Sequence, residues 1–512
     1  MLVCGFKPAA VNLHSGVSLD TEQNPSVTSQ PMDHNAAATA HGPVLRSRLA
    51  ALPLASVLLS AVIALTFVNV FTGWRPAAFI ATPFLVAYFA LVWRKLIVNG
   101  RVLLIGCAII ACVAAVQPAG IEILGAGASR MIYLPAFVAL LGLLRAAAGA
   151  SRVIAVAGRH LVNQPPSRRY LALSFGGHFF GILLNIGGLA LLVEMVRDAN
   201  TLEAAGGSAE IVAWRERRMT VAVLRGFAGI AFWSPLGVSF NLLLVSVPGL
   251  TWGQAGPIGI ACAAGFIGLG WVFDQFQRPK GLRPRPLNRE PGGARAVATV
   301  IAHVAAVSAL TWAVEFVLKL SFQTALLIAV PAYAFCWALG LKLSQSDPTP
   351  VRSSAAIMID RGIAAFPAYA NEIAVFAASG FLGAALVALV PRDALRAFFL
   401  SFAVPPGIFA GLLCITVTAL GFLGLNPMIA ATILASAVSS ADIPGLSKPA
   451  IVLAIAAGWA CTVVVSPMNS ALVMTSALVG RRPWTLAVEW NGPFALAALC
   501  TAAIVLAVLL PF

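Results

Sequence analysis

Two Ser-Pro pairs stand at matching places in the two halves of the chain. Ser234-Pro235 is followed eighteen residues later by Trp252, and Ser466-Pro467 eighteen residues later by Trp484. The register extends to Val221-Ala-Val-Leu-Arg-Gly-Phe-Ala against Leu453-Ala-Ile-Ala-Ala-Gly-Trp-Ala, and to Ala255 against Ala487. Each pair interrupts an apolar run long enough to cross a bilayer, and its proline removes a donor and opens the helical ladder one turn back. Asn241 lies beside the first break, Asn469 and Ser470 beside the second, and Asn185, Gly187 and Gly188 mark a third polar interruption. Hydroxyls, amides and freed backbone dipoles at mid-membrane can return to an ion what it lost on leaving water. Half-helix N-termini facing the same place favour an anion. The plain alternative is that these Ser, Gly and Asn residues are helix–helix packing positions, and it weighs most for Ser470 and Gly237 taken singly.

Ionisable residues inside apolar runs are few. Glu372 follows Asn371, His178 sits within a glycine-rich run, and Arg225 precedes Ser234 by nine residues. Charge inside a membrane is costly, so these three are candidates for coupling, with a place at the interface as the alternative. Glu315 and Lys319 are spaced to pair at a helix end. The eight Cys form no Cys-x-x-Cys, and no Gly-x-x-x-x-Gly-Lys-Ser/Thr occurs. No catalytic residue, metal site or cofactor is therefore expected, with Na+ or H+ as the coupling ion.

The elements that must position these residues are transmembrane helices. Of 512 residues 60% are hydrophobic and only 10% charged, against about 25% charged in soluble domains. Runs of about 20 apolar residues recur from Leu49 onward, so the chain is an all-α polytopic membrane protein. The net charge of +15 lies in short loops between these runs. It reads as the positive-inside pattern rather than as a nucleic-acid surface.

Residues 1–45 are expected to be a disordered cytoplasmic tail, followed by an N-terminal transmembrane half over 46–277. A basic cytoplasmic linker over 278–295 and a C-terminal half over 296–512 complete the chain. Arg46 and Arg48 place the N-terminus in the cytoplasm, and Arg145, Arg152, Arg159, Arg168 and Arg169 mark an inside loop. If Tyr170–Val196 simply crossed, the basic linker would emerge outside. A segment that enters and leaves on the cytoplasmic side removes the conflict, and six of the thirteen residues from Gly176 to Gly188 are Gly or Asn. The stretch Ala397–Ala441 reads either as two crossings or as one hairpin about Gly421-Phe-Leu-Gly-Leu-Asn-Pro. Arg217 and Arg218 precede the first broken helix, whereas Arg481 and Arg482 follow the second. The two therefore run in opposite directions, as an inverted-topology repeat with re-entrant hairpins and broken helices requires.

Asn185-Ile-Gly-Gly-Leu-Ala-Leu-Leu resembles the first-hairpin motif of the ion transporter superfamily, in its arsenite-efflux and sodium/proton-antiporter branches. The hairpin, the later Ser-Pro break and the duplication resemble the divalent-anion/sodium symporter branch. Leu192-Val-Glu-Met departs from the polar run of the efflux branch, and neither half carries a Ser-Asn-Thr triplet.

The expected function is an ion-coupled secondary transporter that moves a small anionic or organic-acid substrate by alternating access. Its expected location is the inner (cytoplasmic) membrane, with a homodimer open and no nucleic-acid partner. The alternatives are a membrane-embedded enzyme acting on a lipid-linked substrate and a passive channel. The candidate binding residues are Asn185, Gly187, Gly188, Ser234, Asn241, Ser466, Asn469 and Ser470.

Overall fold

The computed structural model describes residues 45–277 and 290–509. The expected tail, but for Leu45, and most of the basic linker lie outside the described residues. Nine helices among the described residues are long and apolar enough to cross a membrane, and the chain is an all-α multi-pass membrane protein.

A short helix α1 (Leu45–Ala50) leads into α2 (Leu54–Thr72), α3 (Pro76–Val92), α4 (Val98–Ala115) and a long α5 (Gly120–Gly149). The amphipathic α6 (Arg152–Val162) follows, its start capped by the Ser151 hydroxyl on the Val153 amide. Then come α7 (Pro166–Leu184) and α8 (Ile186–Ala199), α9 (Ala209–Ala228) and α10 (Val238–Ser246), and α11 (Trp252–Phe276). Beyond the linker run α12 (Gly293–Leu318), α13 (Phe322–Ser344) and α14 (Pro350–Ile357). The last passes through a wide turn over Met358–Gly362 and a tight one over Ile363–Tyr369 into α15 (Ala370–Leu389). The order of the first half then recurs. An amphipathic α16 (Arg392–Leu400) precedes α17 (Pro406–Phe422) and α18 (Pro427–Ala441), α19 (Lys448–Val465) and α20 (Ser470–Leu478), and α21 (Gly492–Leu509).

The core sits between the two halves. Helix α5 is buried over most of its length and packs against α15, with small residues setting the distance. A Cβ on Gly127 would strike the Phe381 ring, and one on Gly380 would meet the Arg130 carbonyl at 2.7 Å. Helices α4 and α12 keep long exposed apolar stripes, including Val102, Ile105 and Ile109 and Trp312, Phe316 and Val317, as lipid-facing helices do.

Several sequence expectations shift. Arg145 is not a loop residue, because α5 continues through Arg145-Ala-Ala-Ala and the guanidinium finds a partner within the protein. Helix α9 begins at the Ser208 cap, well before Met219, so Arg217 and Arg218 lie inside it. Arg218 is buried in a two-pronged ion pair with Asp274 of α11, which offsets its burial. Lys319 and Glu315 form no ion pair. Lys319 takes a left-handed cap at the end of α12, and its amide bonds the Glu315 carbonyl. Ala397–Ala441 holds the C-terminal part of α16 and two helices of 17 and 15 residues that fold back on each other. At 1.5 Å per residue these reach about 25 and 22 Å, short of a roughly 30 Å hydrocarbon core.

Candidate functional site

Each half carries a helical hairpin followed by a broken helix. In the first hairpin α7 stops because Asn185 holds φ 53° and ψ −137°, a positive-φ turn conformation in which Gly, Asn and Asp predominate. In the second, α17 ends into Gly424 at φ 98°. Asn426 then accepts the Met428 amide at 2.9 Å, and Pro427 opens α18. The first break, between α9 and α10, follows one tight turn over Gly229–Phe232. Asn241 closes it by donating to the carbonyls of Pro235 and Gly237. The second break lies between α19 and α20. Ser466 there donates to the Gly421 carbonyl of the neighbouring hairpin at 2.7 Å, and Asn469 accepts the Ala471 amide at 3.0 Å.

The two halves pack these parts alike. In the register that pairs Ser234 with Ser466, Gly226 pairs with Gly458. A Cβ on Gly226 would strike the Ser174 carbonyl of α7, and one on Gly458 would lie 2.5 Å from the Cys414 carbonyl of α17. Side chains then stitch hairpin to broken helix through backbone carbonyls. Ser174 bonds Ala222 at 3.0 Å and His178 Nδ1 bonds Gly226 at 3.0 Å in the first half. In the second, Thr418 bonds Gly458 at 3.2 Å and Thr462 bonds Val417 at 3.3 Å. The tryptophans that mark the repeat diverge. Trp252 donates to the Trp233 carbonyl at 2.9 Å, whereas Trp484 is exposed beside Phe422.

Both hairpin tips and both breaks open onto one cavity of about 500 Å³. Register-matched residues line it from the two broken helices: Phe227 and Trp459, Ala231 and Val463, Gly237 and Asn469. The first residues of four helices, Ile186, Val238, Pro427 and Ser470, also line it. The cavity therefore sees four helix N-termini with their partial positive charge. The ends of the preceding segments reach it through Leu183, Ala231, Gly421 and Ser466, and helix C-termini carry partial negative charge. Asn426 and Asn469 cap α18 and α20, whereas α8 and α10 start without a side-chain cap. The amides of the first half are the freer donors.

Of the candidate binding residues, Asn185, Ser466, Asn469 and Ser470 line this cavity, together with Glu372. The others do not. Gly187 is exposed with open space beside it, and Gly188 is buried where a Cβ would strike the Phe180 carbonyl. Ser234 and Asn241 are fully buried behind the first break. His178 is tied at both ring nitrogens, since Nε2 accepts the Trp233 indole N–H at 3.0 Å while Nδ1 faces the Gly226 carbonyl. Arg225 is fully buried, bonds Asn491 at 2.9 Å and stacks 4.0 Å over the Phe494 ring.

Sequence reasoning missed Arg145, which lines the cavity and pairs with Glu372 at 3.3 Å, bridging α5 and α15. Asn426 stands in the turn marked by Gly421-Phe-Leu-Gly-Leu-Asn-Pro but is not among the candidate binding residues, although it lines the cavity. The signals were an arginine followed by an alanine run that lets the helix continue past it, and an Asn-Pro restart flanked on both sides by apolar helices.

No family model matches the sequence, and no curated protein matches it. Among solved structures, the chain is similar to the crystal structure of the Alcanivorax borkumensis YdaH transporter, with 14% sequence identity and a TM-score of 0.52. The similarity covers 80% of this chain and 97% of that one. The chain shares the fold of a membrane transporter.

Proposed function

We propose that this protein is an ion-coupled secondary transporter. It moves a small anionic or organic-acid substrate across the inner membrane by alternating access. One observation carries the reading: the tips of both hairpins and the breaks of both discontinuous helices line a single cavity. Helix N-termini there favour an anion, and helix C-terminal carbonyls favour a cation such as Na+. A site holding both signs of dipole suits a substrate that travels with, or against, a coupling ion.

The recurrent order of amphipathic helix, hairpin, broken helix and closing helix supports an inverted-topology repeat, with the N-terminus in the cytoplasm and the hairpins re-entrant. This is also the pattern behind the resemblance to the ion transporter superfamily. The fold shared with the YdaH transporter supports the coarser reading of a membrane transporter. The site residues in this proposal are Asn185, Ser466, Asn469 and Ser470, with the first-turn amides of α8 and α10.

The test is flux in proteoliposomes with an imposed sodium or proton gradient, screened over organic acids and inorganic anions. Accumulation above equilibrium that collapses with the gradient is expected. Flux that only follows the substrate's own gradient would make the protein a channel instead.

A further inference from the structure

Arg145 and Glu372 are the only charged residues on the wall of the cavity among the described residues. Their contact is a poor version of what the two groups can make. Both terminal nitrogens of Arg145 converge on a single oxygen, Glu372 Oε2, at 3.3 Å each. A guanidinium and a carboxylate matched as forks place two parallel bonds at about 2.7–2.9 Å. The guanidinium is nevertheless held in place. Its side chain is only 11% exposed, and it lies 5.0 Å over the Tyr369 ring. Glu372 is more open at 26%. Its neighbour Asn371 accepts the Ile97 amide at 2.8 Å and donates to the Lys95 carbonyl at 3.3 Å, which anchors this end of α15. A fixed arginine thus faces a cavity while loosely held by a carboxylate.

We propose that Arg145 is the anchor for a carboxylate on the substrate and that Glu372 is its resident stand-in, displaced when substrate enters. This rests on the cavity being the substrate site. An arriving carboxylate can take the fork that Glu372 leaves half used, and the uncapped starts of α8 and α10 line the same cavity. Displacement leaves Glu372 without its partner, so a substrate anion and one positive charge enter together. An internal competitor also prevents the empty site from holding a bare buried cation, which is costly.

The test is calorimetric binding of acetate, succinate and benzoate to the purified full chain in detergent, against chloride at equal ionic strength. Glu372→Gln removes the competitor and should tighten at least one of these carboxylates about tenfold or more. Arg145→Gln should abolish that binding, and Arg145→Lys should weaken it about tenfold, since an ammonium lacks the planar fork. The double variant Arg145→Gln/Glu372→Gln leaves no unpaired ion to impair folding, and it too should not bind. A pair with a structural role alone predicts that Glu372→Gln weakens or leaves binding unchanged and that the double variant binds like wild type. Either result, or no carboxylate binding to Glu372→Gln at all, overturns the proposal. Binding that follows the expected order while wild-type vesicles show no flux would keep the anion site and end the transport reading. Gradient-driven flux with equal affinity in every variant would end the anion site alone.

Discussion

Ser234 and Ser466 occupy matching places in the two halves and are both buried, yet removing their hydroxyls should have opposite signs. Ser466 Oγ donates to the Gly421 carbonyl at 2.7 Å and accepts the Met468 amide at 3.3 Å. Ser466→Ala deletes both bonds: the Gly421 carbonyl keeps only the Gly424 amide at 3.2 Å, and the Met468 amide loses its acceptor. A buried hydrogen bond contributes about 0.5–1.5 kcal/mol, and an orphaned partner adds a desolvation cost. Side-chain bonds between membrane helices average about 0.6 kcal/mol. A loss of about 1–2 kcal/mol follows. Ser234 Oγ is buried with no partner among the described residues, so Ser234→Ala removes a polar atom that gains nothing from the folded state. The expected change runs from none to a gain of about 1 kcal/mol. Thermal unfolding of the two purified variants, followed by size-exclusion fluorescence, should show a midpoint a few degrees lower for Ser466→Ala and unchanged or higher for Ser234→Ala. Ser466→Thr, which keeps the hydroxyl, should lie closer to wild type. Equal destabilisation by the two alanines would refute the assignment of partners at the breaks.

Single cysteines at Ser167 and Ala204, at the two ends of the first hairpin, should label from the same face of the membrane; opposite-sided labelling would sink the re-entrant reading. Gly226→Val and Gly458→Val should each lower folded yield, by overpacking worth about 1–3 kcal/mol, because each adds carbon against a carbonyl of the neighbouring hairpin. Wild-type stability in either would mean that hairpin and broken helix are not in close contact. Breaking the buried Arg218–Asp274 pair by Asp274→Ala should cost about 3–5 kcal/mol, and Arg218→Leu/Asp274→Leu should recover much of it. A double variant no better than the single would place the loss in packing instead.

The breaks and the first hairpin were legible because they are local. Proline, glycine and asparagine inside an apolar run leave a mark that no distant residue alters, and Asn185 does bend the chain where its neighbours suggested. The second hairpin was half legible: Gly421-Phe-Leu-Gly-Leu-Asn-Pro marks a turn, but whether the flanking helices fold back or cross depends on packing against α15 and α19. Arg145 with Glu372 was not legible as a pair. The partners lie 227 residues apart, and an arginine closing an apolar run looks like any interfacial arginine. Ser234 and Ser466 looked equivalent for the same reason. A matching sequence position says nothing about whether a neighbour's carbonyl comes within reach.

The stitching between each hairpin and its broken helix has a mechanical consequence. Ser174, His178, Thr418, Thr462 and Ser466 each fasten to a backbone carbonyl one helix away, and glycines bring the backbones too close to slide past one another. A slip of one helical turn, about 5.4 Å, would break these bonds and drive a side chain into the space that glycine leaves open. Each hairpin and broken helix is therefore a stiff block, and shear inside it is barred. Each block leaves through a glycine. Gly249 follows the first block at φ 78° and Gly480 the second at φ 66°, conformations open mainly to glycine. A swing of either block with its internal register intact would turn at these joints and would have to release the Lys448–Pro248 and Arg481–Glu216 contacts that tie each exit to the other block.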